Sequence, residues 1–159
     1  MNADTIRILR DGAFLSVVAS ICLLLLLRFN PRIFLKRFPK EIREVVPPKS
    51  EKEQRVSILL GLLIGAPCAS ALFWRTATLQ SHSFRDHFAY AFGVLFIFNV
   101  VDLVILDWLI VCWFKPQWSM LPGTAHIAIP NPYLHHFKEF LTGTAGLALV
   151  GLAIAAVLN

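Results

Sequence analysis

Charged side chains are scarce in this chain. They make up 16% of its 159 residues, where an ordinary globular domain carries about a quarter. With a mean hydropathy of +0.65, that scarcity argues against a water-soluble domain and for a membrane protein. Cysteine is also rare. Cys22, Cys68 and Cys112 each sit in an apolar run, and no CxxC occurs. That excludes a disulfide framework and a thiolate metal site, and leaves the role of a small buried hydrophobe. The chain has no nucleotide-binding loop, GxSxG elbow or HExxH motif, so the familiar hydrolase and NTPase chemistries lack their residues. Its single NPY, at 131–133, lacks the length and repeat of a water channel. There is no internal repeat.

Long apolar runs are abundant, and they predict an all-α integral membrane protein, a bundle of four transmembrane helices in one domain, 1–159. The spans are about 9–28, 56–74, 88–114 and 138–158, each near the ~20 residues a bilayer needs. The first resembles a signal peptide, since Arg7 and Arg10 precede it. Arg28, Asn30, Pro31 and Arg32 follow it directly, with no small-x-small cleavage site, so it is expected to remain as a helix. No further domain is expected beyond Asn159.

The formal net charge is +5, and 28–55 holds nine Lys/Arg against four Glu. Charge confined to one membrane-flanking loop points to topology and to anionic lipid rather than to nucleic acid. Its first half alternates Ile33, Phe34, Leu35, Phe38 and Ile42 with Arg32, Lys36, Arg37, Lys40 and Arg43. This is a basic amphipathic segment suited to the headgroup zone, broken near Pro39. Segment 28–55 and loop 115–137, with the entry to the last span, carry eleven Lys/Arg, while Arg7, Arg10, Arg75 and Arg85 make four on the opposite side. The positive-inside rule then places both loops in the cytoplasm and both termini outside a plasma (inner) membrane.

Small residues recur every three or four positions in two spans: Gly61, Gly65 and Ala69, then Thr144, Ala148, Gly151 and Ala155. Such stripes let helices approach closely in lipid, and they are expected to pack the bundle. Oligomerisation or a membrane-complex partner is a further expectation. Pro67 is placed to kink the second span. His82 and His87, near Asp86, read as solvated loop histidines.

The loop after the third span is weakly charged and rich in proline and apolar residues. Such a composition suits a segment folded over the mouth of the bundle. Leu121-Pro122-Gly123-Thr124 has the residues of a type II turn. Trp108, Trp113, Trp118 and Tyr133 suit an interfacial aromatic belt.

The candidate site lies in 88–114, which is apolar except for Asn99, Asp102 and Asp107. Carboxylates at such depth are costly and tend to be functional or paired. Asp102 and Asp107 are five apart, about 140° on an α-helix at roughly 100° per residue, which predicts no tight dyad. Asp102, with Asn99, is the deeper polar point. Asp107 lies nearer the cytoplasmic mouth, where His126, His135, His136 and Glu139 could gather around it. Imidazoles and carboxylates there suit a proton relay or a metal. Whether a metal binds is open at this stage, and no cofactor is expected. The favoured function is a non-enzymatic subunit or ligand-binding membrane protein. A proton- or cation-coupled transporter working as an oligomer, and a metal or haem protein, are the alternatives.

Overall fold

The computed structural model describes residues 3–79 and 83–159. Four helices are long and apolar enough to cross a membrane, and they form an all-α antiparallel bundle. Helix α1 is Ala3–Phe29. A 3₁₀ segment, Pro31–Arg37, and a single turn, α2 (Lys40–Arg43), lead to α3 (Glu51–Ala77). Helix α4 (Phe84–Val101) continues without a break into a π-helix, Asp102–Phe114. After a short 3₁₀ turn, Gln117–Ser119, the chain enters α5 (Pro132–Val157).

Local chemistry sets these boundaries. Asn30 ends α1 and caps the next segment, its Oδ1 accepting from the Arg32 amide at 3.0 Å, with Pro31 following at the first position. Ser50 and Glu53 form a reciprocal capping box at the start of α3. Pro67 does not interrupt α3, which runs on to Ala77.

Helix α4 is the centre, packed most extensively on α5 and α1. Close approach is carried by glycines. A β-carbon at Gly12 would lie 2.9 Å from that of Ile97, and one at Gly151 would lie 3.2 Å from that of Phe92. Gly93 meets Ile8, and Gly143 meets Asn99, in the same manner. Such small faces suit helices that associate by van der Waals packing. The expected stripe on α3 is not used this way. Gly61 and Gly65 have nothing within 4 Å, and Ala69 is exposed. Helix α3 touches the others lightly, near its end, through Leu72 against Tyr90 and Val94.

The two loops fold on each other at one end of the bundle. Leu35, Ile42 and Leu121 form a small core with Phe38, Val46, Ile127 and Ile129 around it. The amphipathic segment thus turns its apolar side to the second loop, and Lys36, Arg37, Lys40 and Arg43 stay exposed. The Leu121–Thr124 turn forms, with Gly123 at φ 78 and the Thr124 amide donating to Leu121 O at 3.1 Å. Arg32 fastens the first loop by donating to both carboxylate oxygens of Glu53, at 2.6 and 3.3 Å. The Glu53 hydrogen bond raises the Arg32 pKa further above its ordinary value. Lys49 donates to Ile33 O and to Ser57, and burial pulls its pKa below the usual lysine range.

Candidate functional site

The π-helix decides the site. Its backbone amides bond five residues back rather than four, and the Lys115 amide closes the last turn on Ile110 O at 3.0 Å. Residues five apart therefore fall on the same side of the helix. Asp102 and Asp107, expected on divergent faces, both turn into one cavity, and Cys112 follows five positions later on the same stripe. The 140° separation assumed α-helical winding and does not apply to this segment, but the two carboxylates pair with different partners, Arg37 and His136.

The cavity has a volume of about 450 Å³ and opens at the loop end of the bundle. Leu23, Leu24 and Leu27 of α1 form one wall, and Phe34, Phe38 and Ile42 come from the first loop. Met120, Ile127 and Ile129 come from the second loop. Against these apolar walls stand six charged or titratable side chains: Asp102, Asp107, Cys112, His136, Arg37 and Lys115. They are cross-paired between elements. His136 Nδ1 of α5 lies 3.1 Å from Asp107 Oδ2. Arg37 Nη1 of the first loop lies 3.9 Å from Asp102 Oδ2. The Cys112 thiol is buried and lines the same cavity as the His136 imidazole.

Other sequence candidates fall elsewhere. Asn99 is a packing residue; its Nδ2 donates to Thr144 Oγ1 at 2.9 Å and to Phe140 O at 3.2 Å. His135 Nε2 sits 3.0 Å from Arg37 O, holding the first loop to α5. His126 lines a separate, smaller pocket beside Arg32 and Pro47. Glu139 is exposed on α5 and lines neither pocket. The gathering of Asp107 with four mouth residues thus reduces to Asp107 with His136. Among the described residues no group of three or more His, Cys, Asp or Glu is arranged to hold a metal ion. Of the stripe on α5, Thr144 and Gly151 pack on α4, and Ala148 is half-buried. Trp108 donates to Tyr133 O at 3.4 Å and meets that ring edge-on.

A polar cluster at the opposite end escaped the sequence reading. Asp11 of α1 accepts from Arg75 Nη2 at 2.7 Å, from Arg75 Nε at 3.2 Å and from the Tyr90 hydroxyl. Arg10 Nε donates to its other oxygen at 2.9 Å. One carboxylate thus ties together α1, α3 and α4. Its signal was an acidic residue at the very start of an apolar run. Nearby, His87 is not solvated. It is buried in the first turns of α4, with Asn159 Nδ2 3.2 Å from its Nδ1. His82 lies outside the described residues.

No family model, curated protein or solved structure matches the chain. The site's chemistry is therefore read from its own geometry.

Proposed function

We propose that this chain is a multi-pass membrane protein that binds an amphiphile in the loop-end cavity, with both loops on the cytoplasmic side of a plasma (inner) membrane. The observation that carries this reading is the cavity's division into apolar walls and a polar pole. Its volume falls within the ~300–1,000 Å³ of small-molecule sites. The two carboxylates of the pole are already partnered by Arg37 and His136, whereas Lys115 is held at its edge in a left-handed conformation, φ 46. A non-glycine residue there is strained, and such strain concentrates at functional positions. An exposed ammonium so placed favours an anionic head group, with the hydrocarbon tail along Leu23, Leu27 and Leu106. The basic outer side of the first loop, Lys36, Lys40 and Arg43, would rest on anionic lipid phosphates.

The test is binding of a fluorescent sixteen-carbon carboxylate to the purified protein in detergent. Saturable binding, weakened by Ala128→Trp at the exposed cavity edge, supports the reading. Binding that is unsaturable, or indifferent to Ala128→Trp, refutes it.

A transport reading draws on one specific observation, that Asp102 lines the cavity. It would require the Asp11–Arg75–Tyr90 cluster at the other end to open. Proteoliposome proton flux abolished by Asp102→Asn would favour it over simple binding.

A further inference from the structure

Cys112, His136 and Asp107 form a chain of side chains that the sequence did not join. The three come from two helices, and the π winding of 102–114 brings Asp107 and Cys112 onto one stripe facing α5. Asp107 holds His136 through Nδ1 at 3.1 Å. This fixes the orientation of the ring. Cys112 lies five residues beyond Asp107 on the π-helix and lines the same cavity as this imidazole. All three line the cavity. A nucleophile next to a base, with the base oriented by a third group, is the arrangement that activates a thiol. Cys22 and Cys68 are half-buried on α1 and α3, and neither lines the cavity.

We propose that Cys112 is an acyl-accepting nucleophile, with His136 as its general base and Asp107 as the positioning residue. The substrate class is a long-chain acyl thioester of a phosphate-bearing thiol. This rests on the amphiphile-binding reading: the acyl chain takes the apolar walls, and Lys115 faces the phosphates. In the step, the Cys112 S–H proton passes to His136. A bond forms between Cys112 Sγ and the acyl carbonyl carbon. The bond from that carbon to the departing sulfur breaks, and the departing thiolate takes the proton from His136. One thioester replaces another, so the products are S-acyl-Cys112 and a free thiol, with no change in oxidation state. Transfer onward to water or to an acceptor would regenerate the thiol.

The experiment incubates the purified full chain in detergent with palmitoyl-coenzyme A and reads intact and peptide masses. The expected result is one hydroxylamine-sensitive palmitoyl addition, on Cys112 and not on Cys22 or Cys68. His136→Gln should slow it about 100-fold, the scale of a lost general base. Asp107→Asn should slow it and Asp107→Glu should restore part of the rate, which a purely packing role would not produce. Acylation spread evenly over the three cysteines, or undiminished in His136→Gln, overturns the proposal. Binding of the fluorescent carboxylate is measured in parallel on the wild-type chain and on Cys112→Ala. Binding without acylation removes the nucleophile and leaves the amphiphile site standing. Absence of both removes the two together.

Discussion

His136 Nδ1 and Asp107 Oδ2 are 3.1 Å apart, and they join the entry of α5 to the π-helical end of α4. Both side chains are largely withdrawn from solvent, so neither partner is cheaply rehydrated when the other is lost. Hydrogen bonds to charged groups contribute about 1.5–3 kcal/mol, and an orphaned buried group costs on that scale. At about 2–4 °C per kcal/mol for chains of this size, Asp107→Asn should lower the melting temperature in detergent by about 5 °C. His136→Ala should do the same, and the double variant should fall short of the sum because the two share one interaction. An unchanged melting temperature in Asp107→Asn would remove the pair from the account of stability.

The π winding makes a separate and sharper prediction. In a cysteine-free background, Asp102→Cys and Asp107→Cys should both react readily with a water-soluble maleimide, because both line the cavity. Val104 and Ile105, which face outward, should react slowly as cysteines, since lipid shields them. An α-helical register would set 102 and 107 about 140° apart and leave one of them shielded. Reaction at only one of the two positions would therefore restore the α-helical reading.

The architecture was legible because it depends on hydrophobicity summed over some twenty residues, which one substitution hardly alters. The loop cap was legible for a similar reason: a weakly charged, proline-rich stretch with apolar residues had to fold on something, and it folds on Leu35 and Ile42. The site was less so. Residues 102–114 contain neither glycine nor proline, so nothing local marks the change of winding that brings Asp102, Asp107 and Cys112 into line. The small-residue stripe on α3 misled for another reason. Spacing identifies a narrow helix face but not its neighbour: Gly151 of the α5 stripe packs on Phe92, Gly61 and Gly65 of the α3 stripe pack on nothing, and Gly12 and Gly93, which pack closely, belong to no stripe.

The Asp11 cluster should behave asymmetrically. Arg75→Ala removes one partner and leaves Asp11 with Arg10 and the Tyr90 hydroxyl. Asp11→Ala strips Arg75 and Tyr90 together, and α3 loses one of its few ties to the bundle. Arg75 is half exposed, so its own ion pair is worth about 1 kcal/mol or less. Asp11→Ala should therefore lower the melting temperature by more than Arg75→Ala. It should also raise amide hydrogen exchange at the end of α3, near Thr76. Equal effects from the two substitutions would show that the Tyr90 hydroxyl adds nothing.

Lys115 closes the π-helix at φ 46, where helices commonly end in glycine. A left-handed residue with a β-carbon costs roughly 1–2 kcal/mol, and the Lys115 amide satisfies Ile110 O whatever the side chain is. Lys115→Gly should therefore stabilise the bundle by up to about 1 kcal/mol, less whatever glycine's greater freedom in the unfolded chain takes back. If the ammonium is kept there to face an anionic head group, the same substitution should weaken binding of the sixteen-carbon carboxylate several-fold. Lys115→Arg should retain the binding without the gain in stability. Thermal unfolding and fluorescence titration on the three proteins separate the two effects. A glycine variant that is more stable and binds equally well would show that the lysine is no part of the site, and that the anionic head group must be sought against Arg37 alone.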